Sequence, residues 1–285
     1  MRRLNALRKL TKAIRLIFLI CTAGSICACA SVNRVSDRSN VKVTLVEMPN
    51  NGDSYLAFEG KIDDTNVDAA LAILASEGYA SKKIMIASGG GNYPSALRLA
   101  EKIEEIGGFT IQVKGVCLAV CANLLLPAAD SVIIERGSLV ALNADPIAWL
   151  AHSRADRTSS SVASHELREL ASNLHSFYVR RNINLRMLEC AWIATDPTSI
   201  TIQDEMIDDT RHISFKVESR SSGWRLAESE LSSFGLRNIS FVAPRSSTTQ
   251  MMARLPHLTF GDMSMDKCYN TPSHEFLSFI QSLSN

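Results

Sequence analysis

Four residues constrain the fold of this 285-residue chain more than any others: Ser88-Gly89-Gly90-Gly91, set directly after the apolar run Lys83 to Ala87. The run reads as a short buried strand. Three successive glycines then let bare backbone N–H groups approach a neighbour or a ligand where any side chain would intrude. Pro94 suits the first turn of a following helix. Ala96, Leu97, Ala100, Ile103 and Ile106 share one face at helical spacing, and Gly107-Gly108 ends the run before a second strand, Thr110 to Val113. The pattern predicts a βαβ unit with a glycine loop, and so an α/β fold. The loop lacks the Gly-Lys-Ser/Thr ending of a phosphate loop, and Asn92-Tyr93-Pro94 breaks G-x-G-x-x-G, which disfavours nucleotide binding.

With 46% hydrophobic and 21% charged residues, the chain can bury one substantial core. Its formal net charge of +1 hides an asymmetry, because Arg2, Arg3, Arg8, Lys9, Lys12 and Arg15 face no acid within the first 30 residues. Without them the chain has 24 basic against 29 acidic side chains, or −5, with no basic, aromatic-interleaved patch. Nucleic-acid binding is not expected.

Those basic residues form the n-region of a targeting segment, followed by Leu16 to Ile26, an apolar stretch short for a membrane span. Three readings stay open: cleavage at Ala28-Cys29-Ala30, lipidation of Cys29 in the imperfect lipobox Ile26-Cys27-Ala28-Cys29, or an uncleaved membrane anchor. Each sends the body of the chain to the periplasm or cell envelope. Cys117, Cys121, Cys190 and Cys268 remain in the body, and an even number in an oxidising compartment points to disulfides. A Cys117–Cys121 bridge would fix a strand-to-helix turn, and Cys190–Cys268 would tie the C-terminal tail to the core; free buried thiols are the alternative. No metal site is expected from the Cys-x-x-x-Cys spacing or from the six scattered histidines, which read as surface or capping residues, and no cofactor is expected.

The rest of the chain divides coarsely. Residues 1–30 are the targeting segment and 31–40 a polar linker. Val41 to Glu47 and Tyr55 to Gly60 read as strands, and Thr65 to Ser76 as a helix opened by a capping box at Thr65 to Asp68, with Asp63-Asp64 and Asp208-Asp209 as solvated loop charges. After a polar loop from Arg154 to Ser161, His165 to Arg181 and Asn184 to Ala194 read as amphipathic helices, the first with Leu167, Leu170, Leu174 and Phe177 on one face. In the stretch 195–220, Ile213, Phe215 and Val217 alternate as in a strand; a short helix is expected at His274 to Leu283.

The glycine loop, followed one strand-helix-strand unit later by Cys117-Leu118-Ala119-Val120-Cys121, resembles the proteolytic subunit of Clp proteases and the exported Clp-like proteins of the crotonase superfamily. The resemblance covers Val41 to Asn143, with a weaker match at Trp224 to Leu236. It implies a ββα spiral over residues 41–245, with 195–220 inserted, additional C-terminal helices and an extension at 246–285. In that family a serine between the two cysteines is the nucleophile. The matching residue here is Ala119, and a methyl group cannot attack a carbonyl. The base histidine would fall at Asn143, 24 residues on, where an amide cannot accept and return a proton near neutral pH. The acidic position would fall near Ser221. The resemblance assigns the remaining oxyanion donors to the N–H groups of Gly90 and Val120.

The favoured reading is therefore an exported, catalytically inactive Clp-like protein that binds a protein or peptide partner or assembles, the family's rings and trimers making a homo-oligomer an expectation. The competing reading is a working serine-type hydrolase that recruits Ser88, Ser95 or Cys117 with a histidine not identified from the pattern. A coenzyme-A enzyme of the crotonase type is weaker, because export removes the chain from its cofactor.

Overall fold

The computed structural model describes residues 42–47, 54–76, 79, 81–152, 161–207, 210–225, 228–242, 258–261, 268 and 273–283. The targeting segment with Cys29, the linker at 31–40, Asp208-Asp209 and most of the stretch after residue 246 lie outside the described residues.

The chain opens with a hairpin of β1 (Val43–Glu47) and β2 (Ser54–Glu59), antiparallel from Val43↔Phe58 to Glu47↔Ser54. Helix α1 (Asp64–Leu74) leads to β3 (Lys83–Ser88), α2 (Tyr93–Ile106) and β4 (Thr110–Leu118). Strands β2, β3 and β4 run parallel, with Ile84 opposite Ile111 and Ile86 opposite Val113, so the predicted βαβ unit is present. Alternation fixes the face: Ile84, Ile86 and Ser88 are buried at period two. Ala96, Leu97, Ala100 and Ile103 bury the matching stripe of α2, each fully buried aliphatic side chain contributing roughly 1.5–3 kcal/mol relative to exposure.

Strand β4 runs past the predicted Val113 and serves two partners in succession. Thr110–Val113 pair with β5 (Ser131–Ile134), and Val116–Leu118 pair with β6 (Leu139–Leu142). The break falls at Gly115, whose φ of +103° suits glycine. There the Ser138 hydroxyl accepts from the Gly115 N–H at 3.0 Å and donates to the Val113 carbonyl at 3.0 Å, which the Glu135 N–H also reaches at 3.0 Å, so this side chain bridges the break in the ladder. Strand β6 pairs antiparallel with β9 (Gly223–Arg225), which pairs parallel with β11 (Phe260–Gly261), while β10 (Ile239–Phe241) extends β5. The result is an α/β structure on a mixed sheet that has nine strands among the described residues. The stretch 195–220 forms a separate antiparallel ribbon, β7 (Pro197–Ile207) with β8 (Thr210–Ser219).

Helices α3 (Pro146–His152), α4 (Ser161–Arg180), α5 (Arg186–Thr195) and α7 (His274–Leu283) pack against one another, and α6 (Glu228–Ser233) precedes the Gly235 turn. Leu167, Leu170, Leu174 and Phe177 are buried, as the helical spacing predicts. Cys117–Cys121 and Cys190–Cys268 both lie at disulfide-bonding distance, with Cα separations of 5.2 and 5.5 Å. Among the described residues no helix is long and apolar enough to cross a membrane.

Three local expectations are corrected. Helix α1 is capped by Asp63, whose carboxylate accepts the Asn66 N–H at 3.1 Å, and not by Thr65. Asp64 is no idle loop charge, because it receives the Ser95 hydroxyl at 2.6 Å and pairs with Arg98 at 3.1 Å. Two histidines are interior: His175 is buried, and His152 is half-buried with its ring stacked 5.2 Å from Trp192 and 6.1 Å from Phe276.

Candidate functional site

The glycine loop and the end of β4 meet closely because the loop carries no side chain that would keep them apart. Gly90 has φ +103°, and a Cβ there would come within 3.1 Å of both the Ala119 Cβ and the Leu118 carbonyl. A Cβ on Gly91 would fall 2.0 Å from the Ile62 carbonyl. Ile62 clamps the loop on both sides, donating its N–H to the Gly90 carbonyl at 3.0 Å and accepting the Asn92 N–H at 2.7 Å.

Ala119 sits at the elbow between β4 and a π-helical turn, Cys121–Leu125, with φ +50°, a conformation that non-glycine residues rarely adopt. Its N–H donates to the Ala141 carbonyl at 3.1 Å and its carbonyl accepts the Asn123 N–H at 2.7 Å. The Cys117–Cys121 bridge closes directly across this turn. A strained elbow is thus retained with a methyl group at its tip.

Asn143 follows β6 on the facing side. It is held by reciprocal bonds with Asn123: Nδ2 of Asn123 donates to the Asn143 carbonyl at 2.8 Å, and the Asn143 N–H donates to Asn123 Oδ1 at 3.3 Å. Asn143 Oδ1 accepts the Ala144 N–H at 2.7 Å and the Ser219 hydroxyl at 3.4 Å. Ser221, near which the resemblance put the acidic position, donates its backbone N–H to the Thr195 carbonyl at 3.1 Å.

Ala119, Asn143 and Gly91 border one cavity of about 290 Å³. Gly91, Asn92, Tyr93, Ala119, Val120 and Asn143 form one wall, and Gln203, Ser214, Phe215 and Val217 of the β7–β8 ribbon form the opposite one. The ribbon is fastened there by the Phe215 N–H, which donates to Asn92 Oδ1 at 3.3 Å. Val120, one of the two expected donors, is on the wall; the other, Gly90, is not, and its N–H is taken by the buried Ser88 hydroxyl at 3.1 Å. Its neighbour Gly91 faces the cavity instead.

Behind the wall lies a buried polar network that the sequence did not disclose. The Tyr93 hydroxyl donates to the Ala144 carbonyl at 2.9 Å and accepts from Asn123 Nδ2 at 3.1 Å. Burial, together with the charge of Asp145, pushes the Tyr93 phenol well above its ordinary range. Asp145 caps α3 through the Ala148 N–H at 3.0 Å and receives the Tyr178 hydroxyl at 3.4 Å, yet burial still raises its carboxyl to about 7. Asn123 was the one member open to detection, since it stands four residues after Ala119 at helical spacing.

The alternative nucleophiles are all engaged. Ser88 is held by the Gly90 backbone, Ser95 is buried between Asn92 and Asp64, and Cys117 is paired with Cys121. Among the described residues lining the cavity there is no histidine and no carboxylate, and among the described residues generally no cluster suited to a metal ion. No family model and no curated protein matches this chain.

Proposed function

We propose that this chain is an exported protein of the Clp-protease and crotonase type that has lost hydrolytic chemistry and acts by binding through the cavity beside Ala119. One observation carries the reading: an elbow at φ +50° is held against a glycine loop, as a nucleophile turn requires, and its tip is a methyl group. Strain of this kind is retained where the surroundings enforce it, and it marks functional sites. The parallel β2–β3–β4 arrangement, with glycine-loop and elbow residues side by side, is what a ββα spiral would supply. Export rests on the basic N-terminal segment and its apolar run, and it accords with two cysteine pairs at bonding distance.

Inertness follows from the side chains present. Asn143 has no proton to exchange near neutrality, and Ser88 and Ser95 hydrogen-bond to backbone, carboxylate or amide groups instead of an imidazole. A serine-reactive fluorophosphonate should leave the purified protein unlabelled. Stoichiometric labelling of any serine would overturn the reading in favour of a working hydrolase. Fusion of residues 1–35 to a reporter active only outside the cytoplasm should give signal, and a cytoplasmic, intact precursor would refute export.

A further inference from the structure

An oxyanion hole serves a charge that appears only when a nucleophile attacks. With a methyl at Ala119 no such charge arises, so donors around it suit an oxygen already charged in the ground state. The Gly91 and Val120 N–H groups come from separate segments, both border the cavity, and neither makes a hydrogen bond to another described residue. Among the described residues lining it, Lys61 alone carries charge, and no carboxylate opposes it. Across from these groups Phe215 and Val217 supply an apolar surface. At about 290 Å³ the space lies at the small end of ligand pockets, enough for one side chain or a short acyl group.

Building on the binding function above, we propose that the cavity takes the terminal carboxylate of an apolar ligand. The carboxylate meets the Gly91 and Val120 amides with Lys61 balancing its charge, and the apolar body lies against Phe215 and Val217. Peptide C-termini and short fatty acids share this chemistry.

Titration calorimetry with two acid and amide pairs tests it: N-acetylphenylalanine against its primary amide, and hexanoate against hexanamide. At least one acid should bind, about tenfold or more tighter than its amide, as expected when a charge-assisted hydrogen bond is lost. The tighter acid identifies the source. Lys61→Met, at an exposed site, should weaken the acid and leave the amide unchanged, and Val217→Trp should fill the cavity and abolish both. An amide binding as well as its acid, or neither acid binding, overturns the carboxylate assignment. Fluorophosphonate labelling on the same sample separates the two failures, since absent labelling with absent acid binding leaves the inert reading intact and removes only the ligand class.

Discussion

The Ser219 hydroxyl donates to Asn143 Oδ1 at 3.4 Å, joining the end of β8 to the residue that follows β6. Under the proposed function this would be the relation of the acidic third member to the base, so that Ala119, Asn143 and Ser219, in place of Ser221, would stand at the three triad positions. The variant Ala119→Ser/Asn143→His/Ser219→Asp is expected to gain fluorophosphonate labelling, whereas the same double change with Ser221→Asp should not. Should the triple variant stay inert, NMR titration of the introduced histidine still decides the point, because a carboxylate at position 219 should raise its pKa and one at 221 should not.

Ala119 holds a left-handed conformation that costs an alanine roughly 1–2 kcal/mol, part of which glycine gives back through its freer unfolded chain. Ala119→Gly should stabilise the protein by about 0.5–1 kcal/mol. A urea midpoint that falls would show that the methyl contributes packing which outweighs the strain.

The two cysteine pairs close loops of very different length, with separations of 4 and 78 residues. Chain-entropy arguments give about 2 kcal/mol for the first and about 4–5 kcal/mol for the second. Cys190→Ala/Cys268→Ala should therefore lower stability about twice as much as Cys117→Ala/Cys121→Ala, measured by urea unfolding in the absence of reductant. Equal losses would point to native-state packing as the main contribution.

Asp145 has its folded pKa raised to about 7 by burial, above the ordinary aspartate value of about 4. The folded state therefore holds a proton that the unfolded chain releases, so the contribution of this group to stability is fully present below about pH 4. It is lost progressively as pH rises to about 7, by on the order of 4 kcal/mol. Asp145→Asn keeps an oxygen acceptor for the Ala148 N–H, sets an amide N–H beside the Tyr178 hydroxyl oxygen, and should remove this slope, so that the wild type loses ground to the variant between pH 4 and 8. Parallel curves would show that Asp145 stays charged at neutral pH.

The sequence by itself determined the βαβ unit, the glycine loop and the amphipathic α4 face, all of which depend on local periodicity or on residues that punctuate the chain; it offered four cysteines, and the structure decided which of them meet. The family resemblance singled out Ala119 and Asn143, and both border the cavity. Tertiary structure alone decided the rest. Gly91 rather than Gly90 faces the cavity because the buried Ser88 hydroxyl turns the Gly90 N–H away, and the three glycines are indistinguishable until the loop folds. Ser219, Tyr93, Asp145 and Lys61 gather from segments up to 158 residues apart in number, and no local pattern encodes a contact of that separation. Only the β7–β8 ribbon, fastened to Asn92, completes the cavity that Tyr93 and Lys61 line, because hydrogen bonds and burial between distant segments exist solely once the sheet has assembled.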